Sequence, residues 1–253
     1  MHQPTLRVLE VLQAVVKDSS SKQLSDFSRE LNIPKSTLLP ILQTLCQYRY
    51  LSQDSGGYRA GTTLFSIGSA LRGSFPTLDY VHSQLEALVQ ATGETCYFGV
   101  LEDGFVLYLD KVDSPHPLRM LTSVGHRLPA YATGIGKALL CDLEEDDLRR
   151  LYPQGLHPLT DRTITDSNML AMQLAQARTD GYCWEVEEST RHIRCFAAPI
   201  RKNGRIAAAV SVAIPVFRYE EMQPETIIRL LQQTAAEISR TFTQTDAHFG
   251  DIF

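Results

Sequence analysis

Long hydrophobic runs are missing from this 253-residue chain. No apolar stretch reaches the roughly 18 residues that a membrane helix needs, so no membrane association is expected. Cysteine is scarce and scattered. Cys46, Cys96, Cys141, Cys183 and Cys195 contain no C-x-x-C spacing, which argues against a zinc or thiol-redox motif and for reduced, mostly buried thiols. The seven histidines make no H-E-x-x-H pattern, and no G-x-S-x-G elbow is present. The first residues lack a basic n-region and a small-residue cleavage site, so a cytoplasmic location is expected. No metal and no cofactor is expected.

What is present is ordinary in amount. Hydrophobic residues make up 43% and charged residues 21%, which excludes a collagen-like, coiled-coil or wholly disordered chain. The length suits two domains of about 100–200 residues each. The charge is unevenly placed. Residues 1–75 carry eight Lys/Arg and five Asp/Glu, a balance of +3, and the remainder carries 16 and 24, a balance of −8. A mildly basic end on an acidic body directs any nucleic-acid contact to that end.

Three helical patterns open the chain. Leu6, Leu9, Leu12 and Val16 recur at helical spacing, and the run Asp18 to Ser21 ends the pattern. Leu24, Phe27 and Leu31 make a second, short stripe, broken at Asn32-Ile33-Pro34. In the third helix Leu38, Ile41, Leu42 and Leu45 define the buried face. Ser36, Pro40, Gln43 and Gln47 point away from it, flanked by Lys35, Thr37, Leu39 and Thr44. Short helix, tight break and a second helix with small polar residues outward is the helix-turn-helix plan, though a plain three-helix bundle has the same periodicity. The runs flanking Asp54-Ser55-Gly56-Gly57 then predict a β-hairpin, a wing on which Arg59 is a candidate phosphate or minor-groove contact. Leu64, Ile67 and Leu71 start a connector helix, ended by Gly73 and Pro76.

Beyond Pro76 helices and strands alternate. The stripe Leu78, Val81, Leu85 and Leu88 is closed by Gly93. Hairpins are expected at Glu102-Asp103-Gly104 and Lys202-Asn203-Gly204-Arg205, and a last helix follows Pro224. These elements imply an α+β sheet domain. Gly134-Ile135-Gly136-Lys137 is not a P-loop, because Ala138 stands where Ser or Thr is needed, nor a dinucleotide fingerprint, because Leu139 replaces the third glycine. Thr133-Gly134 instead opens a short helix whose free N–H groups suit an anion, unless the glycine merely serves a turn.

The segments LRVLEVLQAV, LNIPKSTLLPILQTL and YLSQDSGGYRAGTTLFSIG resemble, in order and spacing, the winged helix-turn-helix of IclR-type transcriptional regulators. LPAYATGIGKALL, GYCWEVEESTRHIRCFAAPI and RIAAAVSVAIP are similar to marker segments of that family's ligand-binding domain. The resemblance implies three parts: a winged helix-turn-helix over 1–60, a linker helix over 61–75 and a GAF-like mixed α/β effector-binding domain over 76–253. It implies a DNA-binding regulator controlled by a small organic acid, working as a homodimer or homotetramer on a near-palindromic duplex operator. Lys35, Ser36, Thr37, Leu39, Gln43 and Arg59 are the expected DNA contacts. Matched to the family, the effector residues are Gly134, Ile135, Glu185, Cys195 and Ser211. Glu185 replaces the usual aspartate and Ala213 stands where relatives have a second serine, which implies an effector other than glyoxylate or pyruvate.

Leu39-Pro40 also departs from the family, in which polar or basic residues follow K-S-T. Pro40 cannot donate to the Ser36 carbonyl, so the recognition helix is expected to kink there or to be regular only beyond it. Two other readings stay open. One is an enzyme using Cys195 as nucleophile with His192 as base, although three residues apart on an extended run they face opposite sides. The other is a ligand sensor whose winged domain binds protein.

Overall fold

Apolar residues at helical spacing build the first unit, Met1–Pro76. Helix α1 (Gln3–Lys17) buries Val11, Ala14 and Val15, α2 (Leu24–Leu31) buries Phe27, and α3 (Lys35–Gln47) buries Leu38, Leu42 and Leu45. A capping box opens α2, with Gln23 and Asp26 each taking the other's backbone N–H. Asn32 closes it in the left-handed region at φ 52°. The Ser28 hydroxyl then donates to the Ile33 carbonyl at 2.8 Å, which fixes the turn into α3. Strands β1 (Leu51–Asp54) and β2 (Gly57–Ala60) form the wing with Asp54 opposite Gly57. Lys22 pairs by backbone with Tyr58, giving the wing a third, one-residue strand. Gly57 is required there: its φ is +121°, and a Cβ would lie 2.5 Å from the Lys22 carbonyl oxygen. Helix α4 (Thr62–Gly73) follows and buries no residue.

The expected kink is not a break. Helix α3 runs unbroken through Pro40. Leu38, Leu42 and Leu45 clamp the helix on both sides of the proline, while Ser36 and Pro40 are exposed, so water can satisfy the carbonyl that Pro40 leaves without a donor. Burial of the inner face outweighs the local cost.

The computed structural model describes residues 2–17, 20–73, 75, 77–117, 122–220 and 222–245. Asp18 and Ser19, expected to help end the first helix, and Pro76, expected to end the connector, lie outside them.

The second unit, Thr77–Phe253, is built on one antiparallel sheet. Helix α5 (Thr77–Thr92) leads into β3 (Thr95–Glu102), β4 (Phe105–Val112) and a short β5 (Arg127–Pro129). A single 3-10 turn, Ala130–Ala132, precedes α6 (Gly134–Leu139), and α7 (Glu145–Leu151) and α8 (Ser167–Asp180) follow. Then come β6 (Cys183–Val186), β7 (Ile193–Lys202), β8 (Arg205–Pro215), α9 (Val216–Tyr219) and α10 (Pro224–Gln244). The strand order is β5-β4-β3-β8-β7-β6. Asp103-Gly104 and Asn203-Gly204 all have positive φ, the tight turns that join twisted strands.

Period-two alternation gives the sheet two buried faces. Phe98, Phe196, Ala198, Val210 and Val212 face α5 and α10, whose stripe Ile227, Leu231, Ala235, Ile238 and Phe242 is buried. Tyr97, Cys195, Ala197, Ser211, Ala213, Cys183 and Glu185 share the opposite face, covered by α6. Among the described residues no helix is long and apolar enough to cross a membrane, and no group of three or more His, Cys, Asp or Glu could hold a metal ion.

Candidate DNA-binding face and candidate effector site

The exposed side of α3 carries the residues expected there. Lys35, Ser36, Leu39, Pro40, Gln43, Thr44 and Gln47 are exposed and Thr37 is half-buried. No side chain caps the helix start, and the N–H groups of Thr37 and Leu38 bond to the Pro34 carbonyl. The first-turn N–H groups of Lys35 and Ser36 have no intrahelical acceptor, a suitable position for a phosphate. Thr44 spends its hydroxyl on the Pro40 carbonyl at 2.8 Å. Arg59 projects from β2 and is ion-paired to Asp54 across the hairpin, with its side chain 55% exposed. It would exchange this exposed partner for a phosphate at small cost.

The five expected effector residues converge on the α6-covered face of the sheet. Thr133 caps α6 by accepting the Gly136 N–H at 3.0 Å. Gly134 lies against β7, where a Cβ would stand 2.8 Å from the Cys195 Cβ. This glycine therefore lets the helix dock on the strand, a tighter requirement than ligand access. Gly136 is tighter still, with a Cβ falling 2.1 Å from the Ala130 carbonyl oxygen. Glu185 pairs directly opposite Cys195, Cys195 opposite Ala213, and Ser211 opposite both Ala197 and Tyr97. Ile135, Glu185, Cys195 and Ser211 are all buried.

Glu185 is wholly enclosed. Its carboxyl accepts the Glu188 N–H at 2.7 Å and the Ser189 hydroxyl at 3.4 Å. Burial, with Glu188 nearby, pushes its pKa up to about 7 despite those bonds and Lys137. Burial and the Glu185 carboxylate raise the Cys195 thiol well above its usual range, and the thiol hydrogen-bonds that carboxylate.

Lys137 and Glu188 are the functional candidates that sequence reasoning passed over. Lys137 is fully buried on α6, and its ammonium donates to Glu188 Oε1 at 2.5 Å and to Gln173 Oε1 at 2.7 Å. Burial lowers its pKa, opposed by the Glu188 charge. Glu188 also accepts the Ile164 N–H at 3.3 Å. Tyr97 and Tyr108 pack edge to face at 5.2 Å on the same side of the sheet, and Tyr108 hydrogen-bonds Thr133. A lone lysine inside the apolar run GIGKALL was the available signal.

The arrangement has no nucleophile–base pair. His192 precedes β7 with φ 63°, and its ring is 87% exposed beside Glu187 at 3.5 Å. The Cys195 thiol is buried and hard to ionise. A winged helix-turn-helix followed in one chain by a sheet domain with buried polar side chains is the build of a class, the DNA-binding regulators. The bacterial transcriptional regulator IclR C-terminal family matches residues 74–240, and the IclR helix-turn-helix domain matches residues 5–55. The chain belongs to the IclR family of bacterial transcriptional regulators, DNA-binding proteins rather than enzymes.

It is 30% identical over 249 residues to the HTH-type transcriptional regulator KdgR of Escherichia coli, covering 96% of this chain and 94% of that one. It is 30% identical over 246 residues to the transcriptional repressor IclR of the same organism, covering 95% and 90%. Among solved structures, an IclR homologue from Microbacterium hydrocarbonoxydans complexed with 4-hydroxybenzoate superposes with a TM-score of 0.81. It is 26% identical, over 96% of this chain and 100% of that one.

Proposed function

We propose that this chain is a ligand-responsive regulator, most simply a cytoplasmic repressor, in which residues 1–60 bind duplex DNA, 61–75 connect and 76–253 bind a small organic acid. Lys35, Ser36, Thr37, Leu39 and Gln43 on α3 and Arg59 on the wing make the DNA contacts. The observation that carries this reading is the exposed face of α3, hydroxyls, amides and one lysine at a helix start, in a matched IclR helix-turn-helix. One winged domain makes few base contacts, so a symmetric assembly on paired half-sites is required. Helix α4 supports a homodimer or homotetramer: Phe65, Ile67 and Leu71 are 78%, 50% and 52% exposed, too much apolar surface for a helix left in water. Light scattering should return at least twice the chain mass, and a monomer would refute the assembly.

The effector binds on the sheet face under α6. Its carboxylate docks on the Gly134 and Ile135 N–H groups at the helix start, Ser211 bonds a second oxygen, and Cys195 lines the wall. Glu185 faces the far end, where it accepts from a hydroxyl when ionised and repels a second carboxylate. The neighbour's 4-hydroxybenzoate, an acid at one end and a hydroxyl at the other, supports a hydroxylated monoacid.

Lys35→Ala and Arg59→Ala test the DNA placement. With an operator selected from genomic fragments, each should weaken binding several-fold at 0.15 M salt. Each should also flatten the slope of log affinity against log salt by about one phosphate contact's worth. Parent-like binding by both variants at every salt concentration would remove these residues from the interface. Failure of the intact protein to select any duplex would favour a protein partner for the winged unit.

A further inference from the structure

We propose that Leu39 and Pro40 make α3 a reader of thymine 5-methyl groups, so that the operator carries thymine where the middle of this helix meets the major groove. The proposal rests on the reading of α3 as the DNA-contacting helix and adds the base chemistry that it meets. Helix α3 runs from Lys35 to Gln47 and buries Leu38, Leu42 and Leu45. Leu39 and Pro40 lie between these in sequence and turn outward, Leu39 being 40% exposed and Pro40 exposed. Neither belongs to the buried cluster of this unit. Two apolar side chains thus stand in water on the side of the helix that also carries Ser36, Gln43, Thr44 and Gln47.

Base readout depends on which groups remain free. The Thr44 hydroxyl donates to the Pro40 carbonyl at 2.8 Å, so its hydrogen is spent inside the helix. Leu42 is buried, and Ile41 is half-buried against the same cluster. From Leu39 to Thr44, Gln43 is the one side chain with a donor still free among the described residues. Leucine and proline have neither donor nor acceptor on the side chain. They cannot pair with the O6 and N7 of guanine, the N4 amine of cytosine or the N6 and N7 of adenine. The 5-methyl of thymine is the one methyl group that a base pair presents in the major groove, and it fits them.

Exclusion works in the same direction. A G·C pair set against Leu39 and Pro40 would lose water from its polar edge and gain no partner, which opposes binding. A thymine turns its methyl group to them, and removing water from that group favours binding. Gln43 lies one turn beyond Leu39 and on the same side of the helix. Its free amide carries the donor and acceptor that fit adenine N6 and N7. The expected half-site core is therefore rich in A·T pairs, with thymine methyl groups toward Leu39 and Pro40 and an adenine at Gln43. Lys35 and Arg59 carry charge to phosphates and add no such preference.

The test uses the intact protein and an operator selected from a random duplex library. Each thymine of that operator is replaced in turn by deoxyuridine, which removes the 5-methyl group and keeps every hydrogen-bonding atom. At one or two positions in each half-site the parent should lose affinity about fourfold, the value of one buried methyl group. At those positions Leu39→Ala or Pro40→Ala should bind the thymine and uracil duplexes equally. Both residues are exposed, so the variants keep the folded unit, and their salt slope should match the parent's because no charge is lost. A parent indifferent to uracil at every position would overturn the inference and leave DNA binding standing. So would an operator without thymine in its half-sites, or two variants that both keep the parent's uracil penalty. Selection of no duplex at all would overturn the DNA reading beneath it as well.

Discussion

Lys137→Met should destabilise the second unit by about 3–5 kcal/mol at pH 8, because it strands the buried Glu188 carboxylate without its cation. Methionine fills the stem of the lysine, so the loss reports charge and not volume. Glu188 would keep the Ile164 N–H and gain no new donor, with the enclosed Glu185 carboxyl still nearby. At a few degrees per kcal/mol for a unit of this size, the melting point should fall by roughly 10 °C. The deficit should shrink in Lys137→Met/Glu188→Gln, which removes the second charge. A single variant losing less than about 1 kcal/mol by urea unfolding, or a double variant no better than the single, would show that the pair is not what holds α6 over the sheet.

That pair marks where sequence reading stops. Elements with strong periodicity or turn chemistry were legible: the α1–α3 stripes, the wing around Gly56-Gly57, the Asp103-Gly104 and Asn203-Gly204 turns, and the α6 start at Thr133-Gly134. Each is fixed by a few adjacent residues. Helix α8 was passed over although Leu170, Leu174 and Ala177 keep helical spacing between an Asp166 cap and Gly181, because Met and Gln blur the polar side of the pattern. Lys137 and Glu188 lie 51 residues apart and meet only once α6 is laid over β6. No local rule gives that contact. Pro40 shows the opposite case. The missing N–H taken alone predicts a kink or a late start to the helix, while the buried leucines on both sides keep α3 continuous from Lys35 to Gln47. The family resemblance named Gly134, Glu185, Cys195 and Ser211 together, and strand register puts the last three on one face of the sheet. It did not give the reason for Gly134, which is contact with Cys195.

Glu185→Gln should make the protein more stable at pH 8 and leave it nearly unchanged at pH 4.5. Enclosure raises the Glu185 pKa from 4.5 to about 7. Between those values the folded protein keeps a proton that the unfolded chain has lost. Stability therefore falls as pH rises through this window and levels off above it. At about 1.4 kcal/mol per pH unit the penalty above pH 7 is on the order of 3 kcal/mol, which the neutral amide avoids while still accepting the Glu188 N–H. Urea unfolding at pH 5, 6, 7 and 8 should show the gap between parent and variant opening over this range. Parallel pH profiles would mean that Glu185 ionises as freely as an exposed carboxylate. The same titration bears on ligand choice. Near pH 6 Glu185 is mostly protonated, and a second ligand carboxylate meets a donor. At pH 8 it meets a charge. The parent should therefore discriminate between 4-hydroxybenzoate and a diacid such as terephthalate more strongly at pH 8 than at pH 6. Glu185→Gln should show the same weaker preference at both values, with ligand-free DNA binding intact. A parent preference that does not change with pH, or a variant that retains the change, would place the effector's far end away from Glu185.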